Sequence, residues 1–255
     1  MTDPLYPFHL DNKVAIVTGA SSGIGAQTAK LFSSVGATVV AAARRLDRLE
    51  ELAEQVPNII PIQCDVTSDE DCENLVKSTL EQCKKVDILI NNAGISDPIA
   101  ALDEELSEFR RVLQIDLISC FYLSQLCARN MKEQEKGGAI VNVASVHGFV
   151  GSAPNNQPGY SAAKGGLVNL TRELALEWAR YNIRVNAIAP GYVATELTDE
   201  MIAGENGRKW IERNTPMRRP GNVEELDGAM LLLASDAGSY ITGETIAVDG
   251  GWLAR

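Results

Sequence analysis

Histidine is nearly missing from this chain: 255 residues hold only His9 and His147. No Cys/His cluster has ligand spacing either, so zinc chemistry is excluded and no metal is expected. Cysteine is sparse. Cys64, Cys72, Cys83, Cys120 and Cys127 form no CxxC and no even set. They read as reduced thiols of a cytoplasmic protein, not as a disulfide framework. No run approaches the ~18 apolar residues of a membrane helix. The start, MTDPLYPFHLDNK, has neither a basic segment nor an apolar core, so no signal peptide is read. Positive charge is in deficit, 23 Lys+Arg against 34 Asp+Glu, for a net charge of −11. Such a chain repels phosphate backbones, which excludes nucleic acid and anionic membranes as expected partners. Repeats, low-complexity tracts and linkers are also absent.

What is present is an alternation. Strand-like runs at 13–18, 38–42, 58–63, 86–90, 139–144, 183–189 and 244–248 are separated by helix-like segments at 25–35, 46–55, 69–83, 104–133, 161–180 and 223–234. Ser68 suits the N-cap of the helix at 69–83. The pattern predicts an α/β fold: a Rossmann-type, doubly wound, seven-stranded and mainly parallel sheet with helices on both faces. One domain is expected over 1–255, with 1–11 as a loose arm. The irregular stretch 192–220 follows the carboxyl end of a strand, where ligands bind in such folds, and is expected to be a substrate lid.

The first strand runs into Thr18-Gly19-Ala20-Ser21-Ser22-Gly23-Ile24-Gly25. Gly19 suits a tight turn, Gly23 lets the backbone approach a pyrophosphate, and Gly25 lets the helix pack on the sheet. The free N–H groups at the helix start then face the anion. The second strand ends in Ala42-Ala43-Arg44-Arg45, with no carboxylate before Asp47. Arginine matches a dianionic 2′-phosphate, so Arg44 and Arg45 favour NADP(H).

Tyr160 and Lys164 are four apart on a predicted helix and project from one face. A free phenol has a pKa of ~10. A nearby ammonium stabilises the phenolate and equips the tyrosine for proton exchange with an alcohol or carbonyl oxygen. Ser145 follows the strand at 139–144 and is set to donate to a substrate oxygen.

With these residues in view the chain resembles the short-chain dehydrogenase/reductases over residues 11–252. The resemblance rests on TGASSGIG at 18–25, Asp65-Val66, Asn91-Asn92-Ala93-Gly94, Ser145, Tyr160-Ser161-Ala162-Ala163-Lys164, Pro190-Gly191 and Val248-Asp249-Gly250-Gly251-Trp252. It implies that Gly19, Ser22, Gly23 and Ile24 line pyrophosphate and ribose, that Asp65 accepts from the adenine amino group beside Val66, and that Asn91 contacts the adenosine ribose and helps fix the central strand, with Ala93 and Gly94 packing near the cofactor. It implies Tyr160 as general acid in reduction and base in oxidation, Lys164 as holder of the nicotinamide ribose, Ser145 as orienter of the carbonyl, and Thr195 and Val193 at the carboxamide. It also implies a homotetramer, with helices 104–133 and 158–181 pairing. Leu117, Phe121, Leu167 and Leu174 suit either those contacts or the core, and Trp252-Leu253 a second interface.

One position departs from the family, which usually has asparagine where Asp116 stands, in a water-linked relay to the lysine. An aspartate lacks the amide donor. The relay is expected to survive with an altered pH profile, and Asp116→Asn to keep turning over. His147, Phe149, Ser96, Tyr192 and Trp210 are expected around the substrate. The leading expectation is NADPH-dependent, reversible reduction of a small-molecule ketone to a secondary alcohol. A 3-oxoacyl-[acyl-carrier-protein] reductase is the nearest alternative; it needs a basic docking surface, for which Lys132, Lys136 and Arg180 are available but the net charge is adverse. A steroid or sugar dehydrogenase is not separable from sequence. A non-catalytic dinucleotide-binding sensor or scaffold would have lost the Ser/Tyr/Lys set, which is intact here.

Overall fold

The computed structural model describes residues 4–152 and 155–255. Residues 1–3 of the expected arm and 153–154 of the loop before Tyr160 lie outside the described residues. Seven strands form one sheet: β1 (Val14–Thr18), β2 (Thr38–Ala43), β3 (Ile59–Gln63), β4 (Ile88–Asn91), β5 (Gly138–Val143), β6 (Ile183–Pro190) and β7 (Thr245–Val248). Their order is β3-β2-β1-β4-β5-β6-β7. Every pairing is parallel, where the sequence pattern had promised only a mainly parallel sheet.

Side-chain alternation builds two cores. Ala15 and Val17 of β1, with Ala139, Val141 and Val143 of β5, face one side, while Ile16 and Ile140 face the other. Period-two alternation divides any strand this way. Because both sides are apolar, helices cover both. On one face lie α1 (Gly23–Ser34), α2 (Leu46–Gln55) and α9 (Asp227–Ala234), with Phe32, Leu49 and Leu233 inward. On the other lie α3 (Asp69–Cys83), α5 (Ser119–Glu133) and α6 (Pro158–Trp178), with Leu75, Leu123 and Leu174 inward.

Several boundaries differ from the sequence reading. The helix expected over 104–133 is α4 (Leu106–Leu113), one wide π-helical turn at Gln114–Ile118, and then α5. The stretch 192–220 carries two helices, α7 (Asp199–Ala203) and α8 (Glu205–Asn214), and Ile211 of α8 is fully buried. The expected loose arm is anchored at its end: Leu10 is fully buried and its N–H donates to the Val35 carbonyl at 2.8 Å. All five cysteines are free, and only Cys83 is not buried. Leu167 and Leu174 belong to the core rather than to an outer face, and Trp252 is buried within its own chain. Among the described residues, no helix is long and apolar enough to cross a membrane.

Candidate active site

Strand order reverses between β1 and β4, so the connections leaving these strands part to opposite faces and open a crevice at their carboxyl ends. Six strand ends empty into it. From β1 come Gly19, Ser22, Gly23 and Ile24, from β2 Arg44 and Arg45, and from β3 Asp65 and Val66. The end of β4 brings Asn92, Ala93 and Gly94. The ends of β5 and β6 add Ser145, then Pro190, Gly191, Val193 and Thr195. Tyr160 and Lys164 enter from α6.

The glycine turn has no room for side chains. Gly19 has φ +65°, and a Cβ there would lie 2.8 Å from Asn92 Nδ2 and 2.9 Å from Ala93 Cα. Gly23 has φ +52° and would meet the Thr195 side chain at 3.3 Å. Only glycine occupies this region without steric cost. The turn is clamped across strands: Thr18 Oγ1 accepts from Asn92 N at 3.0 Å and Ala93 N at 3.1 Å, while Asn92 Nδ2 donates to Thr18 O at 2.9 Å.

Of the two roles expected of Asn91, its side chain is placed for fixing the central strand. It does not line the crevice. Its amide donates to Cys120 O at 3.2 Å, Ser124 Oγ at 2.9 Å and Asn142 Oδ1 at 2.8 Å, tying β4 to α5 and β5. Neighbours at a strand end face opposite ways, so the cleft position falls to Asn92, which the motif contained but the sequence pattern did not single out.

Arg45 is the more engaged of the paired arginines. It donates to Ser21 Oγ at 3.0 Å, Ser22 Oγ at 2.9 Å and Glu196 Oε2 at 2.9 Å. Glu196 belongs to the 192–220 stretch and had no place in the sequence reading. Asp65 lines the crevice, with Oδ1 accepting from Thr67 N at 3.0 Å and Thr67 Oγ1 at 2.8 Å.

At the other end of the crevice, Ser145 caps the turn after β5, its Oγ accepting from His147 N at 3.2 Å. Pro158 opens α6, which suits a first helical turn, and one turn separates Tyr160 from Lys164. Lys164 Nζ lies 5.4 Å from the Tyr160 ring centroid and donates to Val143 O at 2.9 Å. It also stands 3.0 Å from Asp116 Oδ1, with the two side chains 5% and 0% exposed. The ammonium has three N–H donors, so the bond to Val143 O leaves donors for the Asp116 carboxylate. Asp116 Oδ2 accepts from Ile95 N at 3.2 Å.

These neighbours oppose one another. Burial pulls the Lys164 ammonium down, but the Asp116 carboxylate and the Tyr160 oxygen more than reverse this and hold it above the ordinary lysine range. Burial pushes Asp116 up, against the pull of Lys164 and the Ile95 N–H. Burial also pushes the Tyr160 phenol up; Lys164 and Ser145 pull it down, and Asp116 pushes it further up. The expected lysine effect is therefore present but outweighed by burial.

Beyond Tyr160 lies an aromatic wall. His147 meets Tyr160 edge-on with centroids 6.4 Å apart and meets Tyr192 at 5.9 Å. The Tyr192 hydroxyl is 3.3 Å from His147 Nε2. Tyr192 packs on Trp210 at 5.5 Å and on Trp252 at 5.2 Å. Ser96 donates to Gln157 Oε1 nearby, and Phe149 is exposed.

A family model described as enoyl-(acyl carrier protein) reductase matches residues 19–253. The chain is 37% identical over 253 residues to 2-dehydro-3-deoxy-D-gluconate 5-dehydrogenase of Dickeya dadantii, covering 98% of this chain and 99% of that one. A short-chain type dehydrogenase/reductase from Mycobacterium marinum superposes with a TM-score of 0.95 at 36% identity, over 98% of this chain and 99% of that one. A gluconate 5-dehydrogenase from Burkholderia cenocepacia, solved with NADP and tartrate, gives a TM-score of 0.93 at 31% identity, over 99% and 100%.

Proposed function

This chain belongs to the short-chain dehydrogenase/reductase family, and from that premise we propose that it interconverts a ketone and a secondary alcohol with NADP(H), on a hydroxy-acid or polyhydroxy-acid substrate. It is an NAD(P)-dependent oxidoreductase of CH–OH and C=O groups. The observation that carries the reading is the meeting of Ser145, Tyr160 and Lys164 in one crevice with the glycine turn. The residues present fit a dinucleotide. Gly19 and Gly23 line the crevice with bare backbone, the start of α1 has no side-chain cap on its N–H groups, and Arg44 and Arg45 suit a 2′-phosphate. Relatives whose names carry gluconate, one of them solved with NADP, support the substrate class and the cofactor.

When bound, the nicotinamide cofactor supplies or accepts the hydride. The chain's own residues handle the oxygen. Ser145 Oγ holds the substrate oxygen by a hydrogen bond. In reduction the Tyr160 hydroxyl gives that oxygen its proton, and in oxidation the Tyr160 oxygen takes it back. Lys164, held by Val143 O and Asp116, balances the phenolate. His147 and Tyr192 wall the substrate side, and the 192–220 stretch, with Glu196 on Arg45, serves as its lid. Exposed Ile118, Phe121 and Leu176 are read as contact faces of a homotetramer, to be checked by light scattering.

The test is NADPH- and NADH-dependent turnover on keto acids of sugars, simple ketones and a carrier-tethered 3-ketoacyl substrate. The reading expects NADPH to be favoured and Tyr160→Phe to lose ~10²–10⁴ in kcat. Higher efficiency with NADH overturns the cofactor assignment, and an active Tyr160→Phe overturns the catalytic one. Preference for the tethered substrate would make the enzyme a 3-oxoacyl reductase instead.

A further inference from the structure

The π turn at Gln114–Ile118 brings Asp116 under the catalytic lysine, fully buried. Space there is tight: a Cβ at Gly94 would lie 2.6 Å from Asp116 Oδ1. The carboxylate therefore has little freedom to leave the ammonium. Lys164 is a single positive charge with two negative claimants, the carboxylate at 3.0 Å and any phenolate on Tyr160. The other groups facing this centre are neutral. From the β5 turn come the Ser145 hydroxyl and His147, whose imidazole burial keeps uncharged; from α5 comes the Cys120 thiol, and from the β6 turn the Tyr192 hydroxyl. Arg111, salt-bridged to Asp97 and Glu108, acts on Asp116 only from a distance.

We propose that Asp116 is a positioning residue that draws part of the Lys164 charge away from the phenol and so sets Tyr160 as a proton donor, ready for carbonyl reduction at neutral pH and for alcohol oxidation only in alkali. A carboxylate near a phenolate is a like charge, and like charges disfavour ionisation. The proposal rests on the oxidoreductase reading and concerns the kinetic pH profile, not the equilibrium.

The experiment uses the full chain, NADP⁺ and an alcohol substrate, with oxidation rates read across pH. For the wild type the half-maximal rate falls on the alkaline side of neutrality. In Asp116→Asn it moves down by about one pH unit, so oxidation at neutral pH rises up to about tenfold. Asp116→Glu restores a carboxylate and moves the midpoint back. A midpoint unmoved or raised in the folded Asn variant overturns the proposal, as does a wild-type midpoint at or below neutral pH. Ultraviolet difference titration against Tyr160→Phe, run in the wild-type and Asp116→Asn backgrounds, reads the same phenol without turnover. A phenol that ionises at lower pH in the Asn background supports the proposal, and one that ionises at the same or higher pH there overturns it. Absence of turnover on every substrate defeats the oxidoreductase reading instead, while this titration still decides the role of Asp116.

Discussion

Arg45 spans the mouth of the crevice, touching Ser21 and Ser22 on one side and Glu196 on the other. Both ends of the Arg45–Glu196 pair are about half exposed, so it adds little to stability. Its effect is on binding. Arg45→Ala is expected to raise KM for NADPH about 10-fold or more while leaving KM for NADH nearly unchanged, since a hydrogen bond to a charged group contributes ~1.5–3 kcal/mol. Glu196→Gln, which frees the guanidinium, is expected to lower KM for NADPH; steady-state kinetics with both cofactors checks the pair. Gly19→Ala adds a methyl against Asn92 and Ala93 at φ +65°. It is expected to abolish NADPH binding, read by cofactor fluorescence, or to prevent folding, read by circular dichroism. At this scale the sequence was legible in which residues share the crevice, as for Gly19, Ser145, Tyr160 and Lys164, whose motifs together carried the family resemblance. It did not tell Asn91 from Asn92 at the cleft, because which of two adjacent asparagines faces it depends on the residue at which β4 ends.

The helices were legible where local chemistry stops and starts them. Ser68 was expected at the N-cap of α3, and its Oγ accepts from Asp71 N at 3.1 Å. Asp69, Glu70 and Asp71 in the first turn complement the helix dipole. Ser68→Ala is expected to cost about 1 kcal/mol, read as a lower urea midpoint with unchanged slope. The π turn was not legible. Apolar spacing over 104–133 suits one continuous helix, and a wide turn alters that period too locally to be seen. Such turns recur at functional sites, and here the turn carries Asp116 into contact with Lys164. The two helices of the 192–220 stretch were hidden by their brevity and polarity.

Across the whole molecule, burial of thiols and phenols sets an alkaline limit. Burial pushes Cys120 from 9.0 up to about 11 and Cys127 up to about 12; Tyr192 rises to about 12 for the same reason. Each folded value lies above the unfolded one, so the folded chain binds more protons than the unfolded chain in alkali. The stability involved is complete below pH about 9 and is lost as pH climbs through the folded values. Each thiol then contributes a loss on the order of 1 kcal/mol per pH unit. Tm is expected to be flat toward neutral pH and to fall steeply above pH about 9. Cys127→Ser, whose hydroxyl does not ionise in this range, is expected to shallow that fall; scanning calorimetry across pH checks both.

The sequence by itself determined the kinds of element and the chemistry available. Alternating apolar runs dictate strands covered on both faces, because these follow from residue type and short spacing, and the ordered set of glycine turn, strand-end Ser and paired Tyr and Lys carries the family resemblance that implies the reaction class. Only the tertiary structure decided which neighbour meets which: Asn92 rather than Asn91 at the turn, Glu196 on Arg45, Asp116 under Lys164, and Tyr192 against His147. The partners in these contacts stand from 45 residues apart, for Tyr192 and His147, to 151 apart, for Arg45 and Glu196. Packing distance and burial, which no local period encodes, fix the contacts and shift the titration of Tyr160, Lys164 and Asp116.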